Sequence, residues 1–257
     1  MDDDGRAGDW RLSQAWQVHR FGTLDSTNTE AKRRAQTGDF SDCWIVADEQ
    51  TAGRGRLQRN WASPKGNLFC TALFREPGGI RVAGRIPFAA ALAVSDVALH
   101  FAPDADVRLK WPNDVRVRGA KVSGILIETG NDPATGLWIA AGMGINVAEV
   151  PPGAGQSATS LSLLAPGKYF DAIEVFGRLT HFFERRLEQA RESFEPVRRD
   201  WLTRAEGLGG MVRVSPGGVP IDGIFEDMAP DGGLILRLPD GSQQTIRAGD
   251  VHLLGEA

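Results

Sequence analysis

The sequence predicts an α+β protein: a central mixed β-sheet flanked by helices, followed by a small C-terminal β-barrel. Three observations carry this. Leu137 to Val147 (LWIAAGMGINV) is almost wholly apolar, the pattern of a strand buried on both faces in the middle of a sheet. Two long stretches have helical rather than strand periodicity. Gly84 to Phe101 is apolar over a broad face, and a segment from the N-cap Asp171 to about Ala190 carries Ile173, Val175, Phe176, Leu179, Phe182, Phe183 and Leu187 on one stripe. After Gly207-Leu208-Gly209-Gly210 the character changes. Met211–Val214, Val219–Asp227, Gly233–Leu238, Gln243–Arg247 and Val251–Leu254 read as short strands separated by Pro/Gly/Asp turns. A run that short leans on the larger domain for stability.

In chain order, residues 1–20 form a polar tail and first strand, with the strand over Ala15 to Phe21. Residues 21–207 form the main domain, and residues 208–257 the C-terminal β-domain. Asp25-Ser26-Thr27-Asn28 is a cluster of capping residues before a helix over Thr29 to Gln36. Ser26, Thr27 and Asn28 either cap that helix or face a ligand at its N-terminus. Strands at about 43–49 and 67–74 bracket a long loop with Arg54, Arg56 and Arg59, in which Gly53 and Gly55 alternate with the first two arginines. Glycines permit positive φ, successive N–H groups in such a turn cradle an anion, and guanidinium forks add charge-assisted bonds. The alternative is a solvated basic hairpin.

Val107 to Trp111 reads as a short strand, Val115 to Val117 and Lys121 to Glu128 as a hairpin about the turn Arg118-Gly119-Ala120, and Gly130-Asn131-Asp132-Pro133 as a second turn. Lys110 and Lys121 either face solvent or enter a common site from neighbouring strands. Asp114, beside Asn113, either makes an Asx turn or supplies oxygen to orient a lysine or hold hydrated Mg²⁺. Gly142 and Gly144 in a central strand mark close approach of a backbone, a helix or a flat ligand. A helix is expected from Pro196 through Arg204.

Composition narrows the function. Net charge is -4 and pI about 5.6, which argues against bulk nucleic-acid binding. Cys43 and Cys70 form no C-x-x-C pair and read as reduced core residues of a cytosolic protein. The four histidines lack metal-ligand spacing. The N-terminus MDDDGRAGDW has no apolar signal-peptide core, and Ile86 to Val94 is too short to span a bilayer.

Four blocks stand in order: Asp25-Ser26-Thr27-Asn28; Glu49 to Arg56 with Trp61, Ser63, Pro64, Gly66 and Asn67; Lys110-Trp111-Pro112-Asn113-Asp114 followed by Lys121 to Glu128; and Gly142-Met143-Gly144-Ile145-Asn146-Val147. Together with the small C-terminal β-domain, they resemble the biotin protein ligase family over about residues 20 to 254. The resemblance implies the class II synthetase-like biotin/lipoate ligase fold with a C-terminal SH3-like barrel. It also implies a two-step reaction, in which the biotin carboxylate attacks the α-phosphate of Mg-ATP to give biotinyl-5′-AMP, and a lysine of a biotin carboxyl carrier domain then takes the biotinyl group.

It further implies roles for individual residues. Lys121 is the central catalytic residue, with Arg54, Arg56 and Asp114. Ser26, Thr27, Asn28, Gln50, Gly53, Arg54, Lys121, Gly124 and Gly142 surround biotin. Arg56, Trp61, Asn67, Lys110, Asn113 and Asn146 surround ATP, with Asn146 toward Mg²⁺. The partner is the carrier domain, with no DNA and no membrane; the setting is cytoplasmic, and a homodimer through sheet extension is a family habit. Only about 20 residues precede the main domain, which points to the type without a DNA-binding domain. Rival readings are a lipoate or octanoyl ligase of the same fold and a non-catalytic biotin- or nucleotide-binding regulator.

Two departures stand out. Leu57-Gln58 replaces an Arg-Gly pair usual in the loop. The last strand ends in Leu253-Leu254 where an arginine commonly reaches ATP, leaving Arg247 as the nearby substitute.

Overall fold

The computed structural model describes residues 16–38, 40–133, 136–151 and 158–254. The elements are β1 (Gln17–Leu24), α1 (Thr27–Gln36), β2 (Cys43–Gln50), β3 (Leu68–Arg75), α2 (Gly79–Ala83), α3 (Ile86–Phe101), β4 (Val107–Lys110), β5 (Asp114–Val117), β6 (Ala120–Asp132) and β7 (Gly136–Ile145). Then follow α4 (Leu161–Leu164), α5 (Ala172–Glu192), α6 (Phe194–Thr203), β8 (Met211–Val214), β9 (Ile221–Met228), β10 (Leu234–Arg237), β11 (Gln243–Ile246) and β12 (Val251–Leu253).

The first seven strands form one mixed sheet in the order β1-β2-β3-β7-β6-β5-β4. Only β1 and β2 run parallel; the remaining pairs are antiparallel. The apolar strand β7 lies centrally, between β3 and β6. Helices α3 and α5 cover one face, where Trp44 meets the rings of Phe176 and Phe183 edge-on at 5.4 and 5.3 Å. Helix α1 covers part of the other, with Ala31 and Ala35 packed in a smaller cluster with Ile45, Leu73 and Trp138. Gly79–Phe101 is long and apolar enough to cross a membrane by length and composition, but 78% of that stretch is buried inside the protein, so its apolar surface covers the sheet.

Several boundaries shift. Helix α1 starts two residues before the expected Thr29, because Ser26 takes the extended N-cap backbone. The segment Gly130-Asn131-Asp132, expected as a turn, is strand: it pairs with Trp138, Leu137 and Gly136, so the β6–β7 hairpin continues to its tip. Glycine and asparagine there yield to the long cross-strand ladder. The expected turn at Arg118-Gly119 is present, with φ of 49° and 76°. Helix α6 begins at Phe194 with Ser193 as a side-chain N-cap, which places Pro196 in its first turn. Part of the expected Val150–Ser157 loop (152–157) and residues 1–15 lie outside the described residues.

The C-terminal strands form one antiparallel sheet, β11-β10-β9-β8-β12. Among the described residues no ladder joins β11 to β12, so the SH3-like barrel is not closed. This sheet docks on the larger one through buried contacts. Trp111 Nε1 donates to Gly232 O at 3.0 Å, and Trp201 packs against Phe225 with ring centroids 6.5 Å apart. Beneath this junction Asp96 of α3, 8% exposed, accepts bonds from Arg186 and Arg204 at 2.9 and 2.8 Å, clasping α3, α5 and the end of α6. Cys43 and Cys70 are buried free thiols.

Candidate active site

The loop after β2 folds back as a small flap. Gln50 pairs with Ser63 at its base and Arg54 with Asn60 further out, and Trp61 N donates to Gly53 O at 2.9 Å. At the tip, Leu57 and Gln58 have φ of 53° and 57°. These are the two positions where the sequence departs from Arg-Gly, and a non-glycine residue in the left-handed region costs roughly 1–2 kcal/mol. Leu57 is 71% exposed, so packing does not offset that cost.

Beneath the flap lies a cavity of about 550 Å³. One group of lining residues comes from the start of α1 and the end of β2. Ser26 has no side-chain capping bond; Thr27 donates its N–H to Gln50 Oε1 at 2.8 Å; Gln50 Nε2 donates to Ser63 Oγ at 2.8 Å. Asn28 completes this group, with Nδ2 donating to Glu128 Oε2 at 2.9 Å. Two glycines of β7 make room here. A Cβ on Gly142 would lie 2.0 Å from Asn28 Oδ1, and one on Gly144 would lie 2.5 Å from Trp61 Nε1. The close approach at Gly142 is therefore to the Asn28 amide.

A second group gathers cations. Lys121 Nζ sits 2.7 Å from Asp114 Oδ1 and 5.2 Å from the Trp61 ring centre, with its stem across Gly124. The hairpin brings this about, since β5 and β6 pair Asp114 with Gly124 and a bulge follows between Val115 and Arg116. Arg56 Nη1 donates to Asn113 Oδ1 at 3.0 Å and Nη2 to Gly249 O at 3.2 Å. Burial pulls the Arg56 pKa down while Asp250 and Asp114 push it up, and the guanidinium stays charged. Lys110 also lines the cavity; burial, aided by Arg116, lowers its pKa. Asn146 faces the same space. Its Nδ2 donates to Thr159 O at 3.0 Å, while its buried Oδ1 has no partner among the described residues.

The structure thus brings together, around one cavity, Ser26, Thr27, Asn28, Gln50, Arg54, Arg56 and Trp61 with Lys110, Asn113, Asp114, Lys121, Gly124, Gly142 and Asn146. Two expected site residues are not on its wall. Gly53 sits inside the flap, where a Cβ would lie 2.3 Å from Trp61 O, so it lets the two arms of the flap close. Asn67 turns both ends of its amide to backbone. Oδ1 accepts from Val147, Ala148 and Glu149 N–H groups, and Nδ2 donates to Glu149 O. It holds the segment after β7. Arg247, the expected substitute for the missing arginine, pairs with Asp231 at 2.7 Å and is not among the residues lining the cavity. The C-terminal sheet instead contributes Asp250, Val251 and His252 to the wall, and Asp250 forms ion pairs with Arg59 and, at 3.7 Å, Arg56.

Sequence reasoning missed Thr71, Asp250 and the role of Glu128. Thr71 was visible as the one hydroxyl inside an apolar strand, and Glu128 as the charged end of another. Asp250 carried no local signal.

The chain matches the model of the Biotin/lipoate A/B protein ligase family over residues 21–146, and that of the biotin protein ligase C-terminal domain over residues 207–254. It is 38% identical to the biotin–[acetyl-CoA-carboxylase] ligase of Paracoccus denitrificans, over 90% of this chain and 98% of that protein. It is 34% identical to the enzyme of the same name from Mycobacterium tuberculosis, over 97% of this chain and 92% of that one. A solved structure of biotin protein ligase from Aquifex aeolicus in complex with biotin and ATP superposes with a TM-score of 0.78 at 28% identity, covering 93% of this chain and 99% of the other. In sequence over nearly its whole length and in fold, the chain belongs to the biotin protein ligase family.

Proposed function

We propose that the protein joins biotin to a lysine of a biotin carboxyl carrier domain, through biotinyl-5′-AMP made from ATP. The observation that carries this is the meeting of Lys121, Asp114 and Arg56 between a polar floor (Ser26, Thr27, Gln50) and a wall of Lys110, Asn113 and Asn146. A carboxylate and a triphosphate repel one another. A fixed cation between them offsets that repulsion and stabilises the charge that develops as the carboxylate oxygen bonds the α-phosphorus and pyrophosphate departs. The second step forms an amide as the lysine amine attacks the acyl carbon and AMP leaves. Asp114, held by Lys121, is the nearby carboxylate able to take a proton from that amine. The flap arginines close the site and shield the mixed anhydride from water. The cavity volume lies in the range of about 300–1,000 Å³ usual for small-molecule sites.

Among the described residues no cluster of three or more His, Cys, Asp or Glu can hold a metal. Asn146 Oδ1, without a partner among the described residues, is the neutral oxygen that would lie toward Mg²⁺ brought by ATP, and the ion would there offset phosphate charge. A cytoplasmic setting, the absence of DNA and membrane partners, and a homodimer through a sheet edge complete the proposal. Sedimentation velocity tests the dimer.

Biotin-dependent ATP–pyrophosphate exchange, followed by transfer to a carrier domain, tests the function. Exchange with lipoate and not biotin would assign the chain to lipoate ligation. Biotin binding without exchange would make it a regulator.

A further inference from the structure

We propose that Thr71 and Glu128, neither of which lines the cavity, are positioning residues that set the hydrogen-bond polarity of its floor. They leave the Thr27 hydroxyl as an acceptor that selects a ring N–H on the ligand. The proposal rests on the biotin reading above, and deepens it.

The argument is one of counting protons. Thr71 is fully buried in the middle of β3, so its hydroxyl must find partners inside the protein. Its Oγ1 lies 2.7 Å from Asn28 Oδ1 and 2.8 Å from Thr27 Oγ1. A hydroxyl has one proton to give. The orientation of the Asn28 amide decides where it goes. Asn28 Nδ2 lies 3.2 Å from Leu126 O and 2.9 Å from Glu128 Oε2, and both of those atoms only accept. The amide nitrogen therefore faces them, and the amide oxygen faces Thr71. An amide oxygen cannot donate, so Thr71 gives its proton to Asn28 and is left as an acceptor toward Thr27.

Thr27 then gives its own proton to Thr71. The competing acceptor, Gln50 Oε1, is farther at 3.2 Å and already takes the Thr27 N–H at 2.8 Å. With its proton turned inward, Thr27 presents lone pairs to the cavity. A ligand meets an acceptor there and must bring an N–H or O–H. The urea ring of biotin brings an N–H.

Glu128 stands at the head of this chain and also holds Arg54 of the flap at 2.6 Å. If Asn28 Nδ2 faced Thr71 instead, Thr71 would donate to Thr27, and the Thr27 proton would be left with the longer contact to Gln50 Oε1 at 3.2 Å. Gly142 belongs to the same device: the space a Cβ would fill is taken by Asn28 Oδ1.

The test compares binding of biotin with binding of its cyclic carbamates, in which one or the other ring N–H is replaced by oxygen, by calorimetry on the full chain. Wild type is expected to prefer biotin over the carbamate lacking the N–H at Thr27 by about 100-fold or more, because the analogue sets oxygen against oxygen. In Thr71→Val the Thr27 proton keeps only the longer contact to Gln50 Oε1, which is shared with the Thr27 N–H, so it is held inward less firmly and the preference falls at least threefold. Thr71→Ser restores it. A merely structural Thr71 would weaken both ligands alike; an unchanged ratio in a folded Thr71→Val would overturn the proposal. So would wild type that binds both carbamates within threefold of biotin, a result that stands whether or not the variant folds. Failure of wild type to bind biotin at all would overturn the ligase reading itself and is distinguishable from both.

Discussion

Replacing Lys121 by methionine keeps the stem that lies across Gly124 and removes the charge that sits 2.7 Å from Asp114. Two costs follow, of different size. The pair is partly exposed, with side-chain exposures of 23% and 14%, and Asp114 keeps the field of Arg56 after the change. The folding cost is therefore near the low end for an unpaired buried acceptor, about 1 kcal/mol. For a chain of this size that lowers Tm by about 2–4 °C. The catalytic cost is larger, because a preorganised donor at the reacting centre contributes about 2.7–4 kcal/mol, or about 100- to 1,000-fold in rate. Biotin-dependent pyrophosphate exchange and thermal unfolding, measured on the same preparation, separate the two. Exchange within tenfold of wild type in a folded Lys121→Met protein would refute the assignment of Lys121 to the adenylation step.

Other perturbations have distinct signatures. Asp250→Ala removes the ion pairs of Arg56 and Arg59 with the C-terminal sheet; at about 0.2–1 kcal/mol per partly exposed pair, tryptic cleavage of the flap should rise about 2- to 30-fold, and an unchanged rate would show that Asp250 does not hold it. Burial raises the Asp250 pKa, but Arg59 and then Arg56 outweigh it and hold the carboxyl below its ordinary value. That contribution is present above the unfolded pKa and lost as pH falls through the folded one. Flap hydrogen exchange, corrected for intrinsic rate, should therefore stay flat from neutral to about pH 5 and rise only in stronger acid. Asp96→Ala leaves Arg186 with Asp200 and Arg204 with Ser95, and the loss of the shared acceptor should lower stability by about 1–3 kcal/mol in urea titration. Gly144→Ala drives the Trp61 indole from its slot, and its tryptophan fluorescence should resemble that of Trp61→Phe while the fold persists. Burial pushes the Cys43 thiol up to about 11 and the Cys70 thiol higher still, so neither should react with a disulfide reagent at pH 8 until urea is added.

Much of the fold was legible because its causes are local. An unbroken apolar run such as Leu137 to Val147 has only the interior of a sheet to occupy, and an amphipathic stripe from Ile173 to Leu187 has only a sheet to cover. The site residues on the cavity wall were legible through the four ordered blocks that resemble the biotin protein ligase family; taken singly, the same glycines, lysines and arginines leave a solvated or packing role equally open. The errors lie where a local preference met a distant partner. Gly130 to Asp132 carry turn residues, yet the opposite strand extends alongside and holds them in the ladder. Asn67 carries a polar amide, yet the chain after β7 passes over it and binds both its oxygen and its nitrogen.

The sequence by itself determined most of the strands and helices, that two sheets follow one another, and most of the charged groups on the cavity wall, Asp250 excepted. Tertiary structure decided how those groups are paired. Asp250 reaches Arg59 across 191 positions, and Asn28 reaches Glu128 across 100. Neither distance leaves a trace in local periodicity. Sheet register and the docking of the small domain set both. The direction of the Thr27 hydroxyl follows only once Thr71, Asn28 and Glu128 have been brought into line, because a proton goes where an acceptor-only atom has been placed to receive it.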